Sequence, residues 1–152
     1  MRLLFLSLVS LCGISACSAP KVSNAQKCTQ TVLDYADLRD DPNKAEAYGA
    51  LFSEDGTFTL GPNTATGRAA IIKRHESTNA AMQWNHIMDD IKVTDDLSGT
   101  SRVIVYTTPL GVETDVSRFI VADYIDKFEI ARSGKCLIKS RSVNLIFDSN
   151  AE

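Results

Sequence analysis

His86 is one of two histidines in the chain and heads an apolar run, His86-Ile87-Met88-Asp89-Asp90-Ile91-Lys92-Val93, that has the look of a strand. An imidazole titrates near neutrality, so at a strand mouth it can give or take a proton inside a pocket. The same ring can equally be a half-buried hydrogen-bonder, and residue type leaves both readings open. The second histidine, in Lys73-Arg74-His75-Glu76, reads as part of a solvated helix face. Four cysteines divide by position: Cys12 sits in a leading apolar segment, Cys17 comes just after it, and Cys28 and Cys136 remain. In an oxidising compartment the last two suggest a disulfide, with two separate buried thiols as the alternative. A bridge would close a loop of more than a hundred residues, worth about 4–5 kcal/mol in the chain-entropy model. Two cysteines and two histidines at no recognised ligand spacing argue against a metal site, and no cofactor is expected.

The oxidising compartment is inferred from residues 1–16. Arg2 gives a weakly positive start, Leu3 to Leu11 form an apolar core too short to anchor in a bilayer, and small residues come next. Ile14-Ser15-Ala16-Cys17 resembles a bacterial lipobox, in which cleavage precedes the cysteine and the thiol is acylated. Ordinary secretion with cleavage after Ser23-Asn24-Ala25 is the alternative. Either way the expectation is an exported protein of the cell envelope, membrane-attached only through a lipid on Cys17. The formal charge of −3 argues against nucleic acid or an anionic membrane surface as a partner.

Residues 17–27 read as a tether and residues 28–150 as one domain. Val32, Tyr35, Ala36 and Arg39 keep helical spacing, with Leu33 and Leu38 widening the face, and Asp40-Asp41-Pro42 ends this helix. Asn43 is expected to cap a second helix, Lys44 to Phe52, presenting Ala47, Tyr48, Leu51 and Phe52. Glu54-Asp55-Gly56 reads as a turn and Thr57–Leu60 as a short strand. Gly67 precedes a third helix ending near Asn79. Long strands are expected at 84–94, 101–109, 116–130 and 136–147. Helices first and antiparallel strands after predict an α+β fold, three helices packed in a strongly curved antiparallel sheet.

Several local patterns, in order, carry a resemblance. They are Tyr35-Ala36 with Asp40, Ala50-Leu51-Phe52-Ser53-Glu54-Asp55-Gly56, Gly67-Arg68-Ala69-Ala70-Ile71, and His86. Tyr124-Ile125-Asp126 and Gly134-Lys135-Cys136-Leu137-Ile138, with Arg141, complete it. Together, from about Thr31 to Phe147, the chain resembles the nuclear transport factor 2-like superfamily in its SnoaL-like branch. The resemblance implies a cone-shaped α+β barrel with a mostly apolar cavity, a small hydrophobic molecule as ligand, and a homodimer formed through exposed sheet. By likeness to scytalone dehydratase and ketosteroid isomerase relatives, it implies a cofactor-free lyase or isomerase acting on a carbonyl compound. In that reading His86 is the general base or acid, Asp40 orients it or acts beside it, and Tyr35 polarises the carbonyl.

Alternatives attach to each of these residues. Asp40 can simply end its helix, and Tyr35 can be a core aromatic. Trp84, the single tryptophan, lines a cavity mouth or only packs. Asp126 and Arg141, on paired strands, form a cavity pair or an exposed ion pair. The chain also departs from the family pattern, with Asp89-Asp90 where an asparagine is frequent and Cys136 where a tryptophan is. No second pocket histidine is expected, and the Asp-Arg-Asp set of epoxide-hydrolase chemistry is not placed. A non-catalytic ligand-binding or dimerisation module is the alternative function.

Overall fold

In the computed structural model, which describes residues 21–80, 82–111 and 116–150, the chain forms three helices, a 3-10 turn and six strands. The leading apolar segment and Cys17 lie outside the described residues. Helix α1 (Asn24–Asp40) opens with a capping box. The Ser23 hydroxyl accepts from the Gln26 backbone N–H, and the Gln26 side chain accepts from the Ser23 N–H. The helix therefore starts ahead of Cys28, inside the stretch read as tether. Its buried face, Cys28, Thr31, Val32, Tyr35, Ala36 and Arg39, keeps the expected spacing, whereas Leu33 is exposed and does not widen it.

Pro42 stops α1. Asp41 rather than Asn43 then caps the 3-10 turn Pro42–Lys44, its side chain accepting from the Asn43 N–H at 2.9 Å. Helix α2 (Ala45–Gly49) is shorter than its apolar pattern predicts and buries Ala45 and Tyr48 while Ala47 faces solvent. Long-range pairing takes its expected last turn. The Leu51 carbonyl accepts from the Ile138 N–H at 2.8 Å, and strand β1 (Phe52–Leu60) begins at once, with a break in its register against β6 where the Glu54–Gly56 turn is expected. Gly61, at φ +55°, turns the chain into β2 (Asn63–Thr66), a hairpin absent from the sequence-based expectation. Helix α3 (Arg68–Asn79) starts directly after Gly67.

Strands β3 (Met82–Val93), β4 (Ser98–Pro109), β5 (Arg118–Ile130) and β6 (Cys136–Asp148) complete one curved, unclosed sheet ordered β2-β1-β6-β5-β4-β3. It is not purely antiparallel, because β1 runs parallel to β6, with Phe58 opposite Arg141. The whole β2–β5 excursion lies between these two strands, ample length for the crossover that parallel pairing requires. Alternation sends Trp84, His86 and Met88 of β3 and Val103 and Val105 of β4 inward, while Ile87, Phe119, Ile125 and Phe147 remain exposed on the outer face. Cys28 and Cys136 are bonded, Cα–Cα 5.1 Å, fastening α1 to the start of β6. Beside them, the Thr31 hydroxyl donates to the Cys136 carbonyl at 3.0 Å.

Candidate functional site

Between the helices and the concave face of the sheet lies a cavity of about 530 Å³, open to solvent at one side. Phe58, Val103, Val105, Ile120, Ala122 and Val143 make its wall apolar, and a small group of polar side chains projects into it.

His86 is one of them. It lies within β3 rather than at its head, and the pleat turns its ring inward, leaving the side chain 5% exposed. Asp40, the last residue of α1, reaches it twice. One carboxylate oxygen accepts from the His86 backbone N–H at 2.7 Å, and the other accepts from ring Nδ1 at 2.5 Å. A carboxylate only accepts, so the proton sits on Nδ1 and Nε2 carries the lone pair. Nε2 has no hydrogen-bond partner among the described residues. Burial pushes the imidazole below its ordinary value of 6.5, outweighing the opposite pull of Asp40, and Arg39 and Arg141 push the same way. The ring is therefore neutral at neutral pH. A lowered folded value means that the unfolded chain binds the proton more readily. The stability contributed by neutral His86 is thus complete above about pH 6.5 and is lost as the pH falls below it.

Asp40 does not line the cavity. It belongs to a shallow outer depression with Asp37, Lys44 and Met82, and so grips His86 from behind. Its place at the helix end and its hold on His86 are one feature, since a helix terminus presents its last side chain to whatever strand packs beneath it.

The expectation that His75 faces solvent is overturned. His75 is 1% exposed and lines the same cavity, at the middle of the Ile71, His75, Asn79 stripe that α3 buries. Its Nε2 lies 3.2 Å from the Leu38 carbonyl and 3.1 Å from Asn79 Nδ2, while Nδ1 is buried without a partner among the described residues. Burial, then Arg39, lowers its pKa. The four-residue step from Ile71 was the available signal. The flanking charges of Lys73, Arg74 and Glu76 masked it.

Tyr35 is both a core aromatic and a cavity residue. Its hydroxyl accepts from that of Tyr48 at 3.3 Å, and its ring meets His86 edge-on at 6.2 Å between centroids. Burial, then Tyr35 itself, drives the Tyr48 pKa well above the usual phenol value, so Tyr48 stays a donor. Sequence reasoning missed Tyr48 as a site residue because its helix looked longer and its face looked purely structural. Trp84 also lines the cavity, donating Nε1–H to the Thr78 carbonyl at 2.9 Å under the Arg39 guanidinium.

Asp126 and Arg141 are neither a cavity pair nor an exposed pair. They are 1% and 0% exposed and lie behind the cavity wall, Arg141 stacked on the rings of Tyr35 and Tyr124 at 4.0 and 4.3 Å. The arginine donates Nε–H and Nη2–H to the two Asp126 oxygens at 2.8 and 2.7 Å. A bulge at Lys139 brings this about, because it shifts the β6 register by one residue and turns Arg141 inward opposite Asp126.

A cone of helices and curved sheet around an apolar cavity, entered by an aspartate-held histidine, narrows the family. Residues 21–141 match the SnoaL-like domain. The chain belongs to the SnoaL-like family. No protein of curated function matches its sequence. Among solved structures, the SnoaL-like chain is similar to ActVI-ORFA of Streptomyces coelicolor, at TM-score 0.66 and 22% identity over 78% of this chain and 92% of that one. It is similar at TM-score 0.66 and 22% identity to a candidate scytalone dehydratase of Novosphingobium aromaticivorans, covering 84% and 87% of the two chains. A Catenulispora acidiphila protein solved in complex with S-DNPA matches at TM-score 0.62 and 22% identity, over 78% and 90%. At these identities the shared property is the fold.

Proposed function

We propose that the cavity takes a small, largely apolar carbonyl compound and that His86 moves a proton on it, in a cofactor-free isomerisation or dehydration. The observation that supports this is the Asp40–His86 pair, which holds a neutral imidazole in one tautomer with its basic nitrogen free on the cavity side. Nε2 takes the proton from the carbon beside the carbonyl, and the electron pair moves onto the carbonyl oxygen. Tyr35, whose oxygen already accepts from Tyr48, keeps its proton and donates a hydrogen bond to that oxygen as charge develops, until the electron pair swings back and the carbonyl re-forms in the next step. The imidazolium, balanced by Asp40, returns its proton to a different carbon in an isomerisation, or to a departing hydroxyl that leaves as water in a dehydration. Asp40 is a positioning residue, since it touches His86 and not the cavity. The S-DNPA complex of a structural neighbour supports small-molecule binding in this fold.

Titration of the His86 ring by NMR, with 2-tetralone as the carbonyl probe, tests this reading. The free ring is expected to titrate below 6.5, to shift on adding the ketone, and to catalyse deuterium exchange beside its carbonyl. His86→Gln should slow that exchange by about 10²-fold or more. Asp40→Asn should lower the His86 pKa further, because it removes the charge that favours imidazolium. A ring indifferent to the ketone, with exchange no faster than in buffer, overturns the proposal. Binding without exchange would leave a ligand-binding module.

Export with a lipid on Cys17 is proposed alongside. It is supported by the apolar leader and by the Cys28–Cys136 bridge, which suits an oxidising compartment. The capping box favours cleavage before Cys17 over cleavage after Ala25, since the latter would remove the Ser23 cap and cut the first turn of α1. The exposed Ile87, Phe119, Ile125 and Phe147 favour a homodimer through the outer sheet face. A Cys17→Ala chain should leave the membrane fraction and sediment as a dimer. Retention in membranes refutes the lipid, and a sedimenting monomer refutes the dimer.

A further inference from the structure

Among the described residues three arginines line the cavity, Arg39, Arg74 and Arg118, against a single carboxylate, Asp148, which Arg118 already holds in a two-pronged pair. Both cavity histidines are neutral near pH 7, so neither offsets nor adds to this charge. The surplus rests on Arg39 and Arg74.

Arg39 is 8% exposed, yet its partners are neutral: Asn79 Oδ1 at 2.6 Å, Thr78 Oγ1 at 2.8 Å and the face of Trp84 at 4.9 Å. Among the described residues it has no carboxylate oxygen within 4.0 Å. A buried charge without a counter-ion is costly, and folds ordinarily place an acid beside it, as this one does for Arg141. Arg74 is half-buried. It lies over Phe58 at 5.1 Å and has no ion pair among the described residues. Arg74 stands one helical turn before Thr78, the residue that accepts from Arg39, so both cations are tied to the same stretch of α3 and line one cavity. Each thus has its guanidinium on an aromatic face at the cavity wall, Trp84 under one and Phe58 under the other.

We infer that the ligand is an organic acid, an apolar body carrying one carboxylate that pairs with Arg39 and supplies its missing counter-charge, with Arg74 adding positive potential on the same cavity wall. The apolar wall and the two aromatic faces hold the body, and the arginines select the anion and set which end of the molecule turns toward His86. The inference rests on the cavity being a ligand site and adds to it a charged group that a plain ketone lacks.

Two probes of one shape test it, 1-naphthaleneacetate and its neutral amide, 1-naphthaleneacetamide, titrated by calorimetry and by the fluorescence of the single tryptophan, Trp84. The acid should bind the full-length protein at least 10-fold more tightly than the amide at low salt, and the gap should narrow as salt is added. Arg39→Gln should remove most of the preference and Arg74→Gln should reduce it. Arg39→Lys, which keeps the charge, should retain part of it. Should Arg39→Gln melt early for want of its bonds to Thr78 and Asn79, Arg74→Gln and Arg39→Lys carry the test. Equal affinities for acid and amide overturn the inference and leave the apolar cavity reading standing. A preference that survives both glutamine variants places the anion elsewhere and overturns it as well. Failure of both probes to bind removes this inference together with the ligand site on which it rests.

Discussion

Arg141→Met lowers the stability of the domain by about 3–5 kcal/mol, because the methionine fills the volume but leaves Asp126 as a buried anion with no partner. The melting temperature falls on the order of 10 °C with it. Wild-type Arg141 is held charged despite full burial: desolvation opposes the cation, and the Asp126 carboxylate, its largest favourable neighbour, overrides that with help from Tyr35. Both rings that the guanidinium lies against, Tyr35 and Tyr124, also line the cavity, so losing the arginine slackens the wall from behind. Replacing both partners, Asp126→Leu with Arg141→Met, should restore most of the loss, since two apolar side chains leave nothing unpaired. Urea unfolding of the two single variants and the double variant measures the cycle. An Arg141→Met protein within about 1 kcal/mol of wild type would show that Asp126 finds another partner and that the pair is not the keystone of this wall.

Loss of the Cys28–Cys136 bond is the second large effect. The bond closes 108 residues, nearly the whole domain, and restricting a loop of that length in the unfolded chain is worth about 4–5 kcal/mol. Cys28→Ser with Cys136→Ser, or reduction of the native protein, should lower unfolding stability by that order. Native mass spectrometry before and after reduction confirms which state is measured. The effect has a local side too. Unfastening α1 from β6 frees the helix that carries Tyr35, Arg39 and Asp40, so ligand affinity should fall together with stability. A reduced protein as stable as the oxidised one would mean that packing of α1 alone fixes the helix.

Much of this layout was legible along the chain. The four long strands lie close to where alternation puts them, the α1 face repeats at helical spacing, and Pro42 ends that helix because proline constrains the residue before it. The failures share one cause. The end of α2 became β1 when Leu51 found a hydrogen bond in β6, a partner more than eighty residues away, and no window of local sequence contains that competitor. His75 lies on the expected helix but on its buried side; the charges around it describe a solvated face while the step from Ile71 describes a buried one. Packing against α1 and the cavity decided between them.

By itself the sequence determined the class of fold, the order of its elements apart from β2, the pairing of Cys28 with Cys136 as one of two readings, and His86 with Asp40 as residues worth joining. Those depend on periodicity, on turn chemistry and on a resemblance carried by ordered local patterns, all written along the chain. Which side chains share a cavity was settled only in three dimensions. The bulge at Lys139 sends Arg141 behind the wall, Asp40 reaches His86 from the outer side, and α3 brings His75 in and sets Arg74 one turn from the partner of Arg39. A single residue of register in a strand, or about 100° of turn on a helix, moves a side chain from core to solvent. Long-range contacts set both quantities.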